Sequence, residues 1–184
     1  MNKFSLFGLS NLGLAGILFT TLVQSVQAGR TVSMTEIDCL TTSASSGVNS
    51  FIASSGNVSL GQEVFTAVAV LRTDWEFLGS NYIRSDIPAS AACRITPSGS
   101  KPRFRTLRLA FGINNGNSYA KNNSLIKLTV FLDGNAMGSQ EMAKGEQKFW
   151  LVNVTNVRSV ALRADCLSRD TCPSVVFVQT LLEE

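Results

Sequence analysis

Leu107, Leu109, Phe111 and Ile113 alternate with Thr106, Arg108, Ala110 and Gly112, and Ile126, Leu128, Val130 and Leu132 alternate with Lys127, Thr129 and Phe131. A period of two places every second side chain on one face of a strand. The two runs therefore predict two strands, each with one face in a core. A polar loop, Asn114 to Ser124, joins them. Asp133-Gly134 closes the second run, and such a dipeptide marks a tight hairpin because Gly adopts positive φ at no steric cost. A short polar run follows. Phe149, Leu151, Val154, Val157, Val160 and Leu162 then read as at least two more strands, with Trp150 taken as a core residue.

The remaining segments have the same character. Thr41 to Gly61, rich in Ser, Thr, Gly and Asn, reads as loop with a short strand around Ser50 to Ala53. Glu63 to Leu71 is apolar on both faces, and its Val and Phe content favours a strand over a short helix. Ala92 to Thr96 is another strand, and Pro97 to Pro102 a turn or loop. Val175 to Leu182 is apolar on both faces and is expected in the interior of a sheet. Many short strands, turns between them and no sustained helical period predict an all-β sandwich or barrel.

Residues 1–28 stand apart. Lys3 precedes a mostly apolar run, Phe4 to Val23, and Val26-Gln27-Ala28 offers small or modest residues where a signal peptidase reads. The expectation is a signal peptide, cleavage before Gly29, a single domain over 29–184, and a secreted or periplasmic protein with no stable membrane span once the leader is removed. The rival is a retained N-terminal anchor, for which the apolar run is long enough. The net charge of +3 becomes +2 without Lys3, which argues against nucleic acid as a partner. Arg94, Lys101, Arg103, Arg105 and Arg108 cluster in sequence and read as a solvated face rather than an anion site.

The chain has no His, so Ser-His-Asp and Cys-His chemistry is excluded and acid–base work would fall to carboxylates. Asp74 and Glu76, two apart, are the pair that could share a site; we read them as a solvated loop and the protein as no enzyme, with no cofactor and no metal. Four cysteines remain, Cys39, Cys93, Cys166 and Cys172. In an exported chain an even number points to disulfides, and without His or a C-x-x-C pair zinc is a poor alternative. Cys166 and Cys172 flank a short loop that closes easily, which leaves Cys39 for Cys93.

Residues from about Ile83 to Leu182 resemble the NPCBM-type carbohydrate-binding module, a jelly-roll-like β-sandwich of the galactose-binding-like group. The resemblance rests on Phe111-Gly112-Ile113-Asn114 at the end of a strand, on Val130-Phe131-Leu132-Asp133-Gly134, and on the spacing of Phe149, Leu151, Val154, Val157, Val160 and Leu162. It implies a non-catalytic sandwich, here stapled by the two expected disulfides, that binds carbohydrate or a cell-surface glycoconjugate through loops at one end. Two departures stand out. The family's His-containing segment is here Asp86-Ile87-Pro88-Ala89-Ser90, and its late polar-aromatic segment is replaced by Cys166 to Pro173. The alternative is therefore a structural or protein-interaction module of the same fold, with a protein partner and no sugar site.

Sugar sites pair an aromatic platform for the C–H face of a pyranose with amide or acidic groups for its hydroxyls. Two stretches supply such residues. One carries Trp75, Phe77 and Tyr82, with Asp74, Arg72 and Asn81 beside them; the other runs Asn114, Asn115, Asn117, Tyr119, Asn122, Asn123. Trp75, Tyr82, Asn115 and Tyr119 are the candidate ligand residues. Asn57, Asn122 and Asn153 each open an Asn-X-Ser/Thr sequon, relevant to a eukaryotic host.

Overall fold

The computed structural model describes residues 29–42, 51–72, 75–78, 81–84, 88–118, 120–168 and 172–184, with 75–78 and 81–84 described by their backbone course. Residues 1–28, on which the leader and anchor readings fall, lie outside them. The strands are β1 (Thr31–Ser33), β2 (Cys39–Thr41), β3 (Phe51–Ala53), β4 (Asn57–Leu60), β5 (Glu63–Thr66), β6 (Ala69–Leu71), β7 (Trp75–Leu78), β8 (Asn81–Arg84), β9 (Ala89–Arg94), β10 (Thr106–Gly112), β11 (Leu125–Leu132), β12 (Asn135–Ala143), β13 (Gln147–Asn153), β14 (Ser159–Cys166) and β15 (Val175–Glu183). A 3-10 turn, Met34–Glu36, links β1 to β2 and is closed by a capping box between Ser33 and Glu36.

Two antiparallel sheets face each other. The first runs β13-β10-β15-β6-β3, with β1 also on β15; the second runs β12-β11-β14-β9-β2. The alternation seen in the sequence becomes the interface between them. Leu107, Leu109 and Phe111 from β10 and Phe177 and Leu182 from β15 meet Ile126, Leu128 and Val130 from β11 and Val160 and Leu162 from β14, all buried. Phe177 packs edge-on against Phe51, with centroids 5.7 Å apart. Aromatic pairs of this kind add attraction beyond the area they bury.

The sandwich has two flanks. At one, Trp150 of β13 turns inward, and its ring lies 3.3 Å from where a Cβ on Gly138 of β12 would stand. Trp150 is thus a core residue, as the sequence predicts. At the other, Met34 is wholly buried under the β1–β2 turn, and the Cys39–Cys93 disulfide ties β2 to β9 where the two residues are register partners. Cys166–Cys172 closes the second loop, so both expected pairings are present.

Several segments depart from expectation. The short polar run after Asp133-Gly134 is the nine-residue strand β12, paired with β11. Of its side chains only Met142 is buried, so it carries little apolar signal. β4, inside the stretch read as loop, pairs with β5. Glu63 to Leu71 is strand, but it breaks between β5 and β6. The strand expected over Ala92 to Thr96 runs from Ala89 to Arg94. Phe149 and Leu151 face solvent, 68% and 66% exposed; Trp150 and Val152 are the inward residues of β13.

β3–β4 and β5–β6 form one long bent hairpin. Its base belongs to the first sheet, through β3–β6 pairing. Its tip lies on the outer face of that sheet, where Val58, Leu60, Ala67 and Val176 make a second small core. A side chain at Gly112 would strike the Glu146 carbonyl and lie 3.0 Å from Leu60. Gly112 therefore lets the hairpin sit close.

Candidate functional site

The strand register shows which connections share an end of the sandwich. Gly112 pairs with Val176 and Gln147, Leu71 with Val175, Leu125 with Ala143, Ile126 with Cys166, and Ala164 with Ala89. All these positions lie at one end. From it emerge the connection 72–88, the loop 114–124, the turn 144–146 and the disulfide-closed loop 167–174. The tip of the β4–β5 hairpin joins them through Gly61 N–H donating to Gly145 O at 2.5 Å.

This end collects the segments that carry all four candidate residues. Trp75 and Tyr82 lie on the two-stranded β7–β8 ribbon, in which Trp75 pairs with Arg84 and Phe77 with Tyr82. The ribbon is an excursion between Leu71 and Ala89. Asn115 and Tyr119 belong to the neighbouring loop. The side chains of Trp75 and Tyr82, and Tyr119 as a whole, lie outside the described residues, as does Asp74 of the carboxylate pair.

Asn115 is described in full, and it is built into the scaffold. Its backbone N–H donates to Ser59 O at 2.9 Å. Its amide Nδ2 donates to Gly61 O at 2.6 Å and to Ser59 Oγ at 3.4 Å. Asn114 Oδ1 accepts from Ser59 N and Gly116 N, both at 3.0 Å. The second contact is an Asx turn, which Asn forms readily. The two asparagines thus staple the hairpin tip to the loop. Gly145 N–H donates to Ile113 O at 2.9 Å, and Lys144 Nζ donates to Ala120 O at 2.8 Å. These bonds hold the base of the 114–124 loop to the 144–146 turn.

Glu146 completes that turn. Its Oε2 accepts from Ala143 N at 3.0 Å and pairs with Lys148 Nζ at 3.1 Å. The Ala143 amide first, and Lys148 second, hold its carboxyl below the usual range against a smaller opposing effect of desolvation. On the far side, Leu125 N–H donates to Ser168 Oγ at 3.0 Å and Leu167 N–H to Leu125 O at 2.9 Å. The end is therefore a braced platform, with exposed Lys121, Asn122 and Asn123 at its rim. Sequence reading missed Ser59, Gly61, Lys144 and Gly145. The detectable signal was the pair of glycines, which carry φ of +61° and +79°.

A separate groove of about 1300 Å³ runs along the β2–β3 flank, with buried Met34, Phe51 and Phe104 and the charged Arg30, Arg94, Glu36 and Asp38 among its walls. Three members of the basic cluster are engaged in local contacts: Arg103 pairs with Glu184 and stacks on Phe104, Arg108 pairs with Glu183, and Arg94 donates to Ser98 Oγ. These are partly exposed pairs, of small energetic weight. Among the described residues no three His, Cys, Asp or Glu side chains group as metal ligands, and no helix is long and apolar enough to cross a membrane.

No protein-family profile and no curated protein matches the sequence. Solved structures do match by shape. The family 51 carbohydrate-binding module of a Clostridium perfringens GH95 protein, solved with methyl-galactose, superposes with a TM-score of 0.54 at 16% identity, over 83% of this chain and 99% of that one. The CBM51-2 and INT domains of Clostridium perfringens ZmpB, solved with GlcNAc in one structure, match at 0.56 and 14% identity over 85% of this chain. This chain spans 32% of that longer one. The tandem CBM51 modules of a Streptococcus pneumoniae family 98 glycoside hydrolase match at 0.57 and 13% identity, over 84% of this chain and 47% of theirs. The chain has the galactose-binding-like β-sandwich fold of these carbohydrate-binding modules.

Proposed function

We propose that this protein is an exported, non-catalytic module that binds carbohydrate or a glycoconjugate through the loops at the braced end of the sandwich. The observation that carries the reading is topological. The connections bearing Trp75, Tyr82, Asn115 and Tyr119 all leave the two sheets at the same end. Aromatic residues and amides brought to one end suit a pyranose, which offers an apolar face and a hydroxyl rim. The fold's occurrence in modules solved with methyl-galactose and with GlcNAc supports the ligand class. Two disulfides support an oxidising compartment, and with it the leader reading of residues 1–28.

In this reading Asn114 and Asn115 shape the platform from beneath, the ribbon residues Trp75 and Tyr82 supply stacking area, and Tyr119 with the exposed Asn122 and Asn123 contacts hydroxyls. The test is a glycan array on purified protein, repeated on Trp75→Ala and Tyr119→Ala with melting temperatures measured alongside. Loss of glycan binding at unchanged melting temperature is expected for at least one of them. Absence of any glycan binding by the parent protein, or binding unchanged in both variants, overturns the site.

A further inference from the structure

The sheet edges of this sandwich are not equally protected. β1, β2 and β3 are three residues long. β12 is long, but a bulge disturbs its pairing at Val130/Phe131, and its residues include Gly138 and an exposed Glu141. Short, bulged or charged edges are how sheets avoid joining one another. β13 is neither short nor bulged. It pairs over seven residues with β10 without a register shift, and its second edge has no strand on it among the described residues. Its one charge, Lys148, is neutralised by Glu146 and lies on the opposite face from Phe149 and Leu151.

The outer face of that edge carries two exposed apolar side chains between Gln147 and Asn153. Phe149 and Leu151 are two-thirds exposed. Their partners on β10 are Ala110 and Arg108, and Arg108 is already turned toward Glu183 by a 2.6 Å ion pair. We propose that β13 is a homodimer interface, pairing antiparallel with the β13 of a second copy about a two-fold axis at Trp150. The sequence of the strand is self-complementary in that register. Phe149 falls opposite the partner copy's Leu151 and Leu151 opposite its Phe149, giving two aromatic–aliphatic cross-strand pairs on one face. Lys148 falls opposite Val152 and Gln147 opposite Asn153, so no like charges meet. A two-fold contact must match a patch with itself, and this strand does so residue by residue. Pairing would fuse two first sheets into one continuous sheet and would satisfy the open main-chain groups of both edges. Because the strands run antiparallel, the two loop-rich ends would point in opposite directions.

Sedimentation equilibrium of the purified, oxidised protein across the micromolar range should show a monomer–dimer equilibrium. Phe149→Lys with Leu151→Lys should weaken association by about tenfold or more with little change in melting temperature, since neither side chain is in the core. Register is tested by mixing separately made Phe149→Cys and Leu151→Cys proteins. An interchain disulfide should form in the mixture well above the level in either protein alone. A parent protein that stays monomeric throughout, a dimer that survives the double lysine change, or Phe149→Cys that cross-links to itself as readily as to Leu151→Cys overturns the proposal.

Discussion

Asn115 occupies the space that a side chain at Gly145 would need: a Cβ there would collide with Asn115 Oδ1. The same asparagine reaches Gly61 O at 2.6 Å, so one residue measures the gap between the β12–β13 turn and the hairpin tip. Gly145 also has φ +79°, a region that side-chain-bearing residues enter at a cost of about 1–2 kcal/mol. Gly145→Ala combines both penalties. We expect it to lower stability by about 2 kcal/mol or more, or about 4–8 °C in melting temperature for a chain of this size. Asn115→Ala, which opens space instead, should cost about 1 kcal/mol. Thermal denaturation of the two variants checks the order.

Asp133 makes a second latch, at the opposite end. Its Oδ1 accepts from Arg158 N at 3.0 Å, Ser159 N at 2.8 Å and Ser159 Oγ at 3.2 Å. Desolvation alone would raise its pKa, but these amides and the hydroxyl together outweigh it and hold the carboxyl below its ordinary 3.8. A folded-state pKa below the unfolded one means stability that is present above about pH 4 and is lost as the pH falls through the folded value. Acid titration of stability should therefore show a steeper loss below pH 4 in the parent than in Asp133→Asn. Asp133→Ala should be the least stable of the three at pH 7, because Asn keeps an acceptor and tolerates the φ of +48°.

The two disulfides should differ in weight. Cys39–Cys93 closes a separation of 54 residues and Cys166–Cys172 one of 6. Loop-closure entropy gives about 4 kcal/mol for the first and about 2 kcal/mol for the second. Chemical denaturation of the Cys39→Ser/Cys93→Ser and Cys166→Ser/Cys172→Ser proteins should reproduce that ranking. Equal losses would show that native-state contacts of the short loop, such as Ser168 with Leu125, outweigh chain entropy.

Trp150→Ala should remove the wedge between β13 and Gly138 and cost about 3 kcal/mol. Phe149→Ala, one residue earlier and pointing to solvent, should be nearly neutral in the monomer. The contrast between adjacent residues is the direct check of which face of β13 is buried.

The inward faces of β10 and β11 were legible because their alternation is undisturbed: Leu107, Leu109, Phe111, Ile126, Leu128 and Val130 are each at most 1% exposed. β12 was not, because an edge strand with one buried side chain, Met142, looks like loop. The outward face of Phe149 and Leu151 was hard to read for the opposite reason. Apolar residues at the correct spacing for a core stripe sit on the wrong face, and only the register with β10 fixes which face is inward. At the candidate site, the sequence named the loops that share an end but could not assign Asn115 a place beneath the platform. That depends on Ser59 and Gly61, more than fifty residues away in the chain.

β15 lies between β10 on one side and β1 and β6 on the other, and it follows all three in the chain. During synthesis, the first sheet has edges but no middle until Val175–Glu183 has emerged. The second sheet is different. Its five strands end at Cys166, so it can pair, and Cys39 can find Cys93, while β15 is still being made. Assembly is therefore expected in two acts, with the half-finished sandwich exposing Leu128, Val130 and Leu162 in the interval. The order of the strands in the chain, rather than any single contact, therefore sets which half of the sandwich can close first.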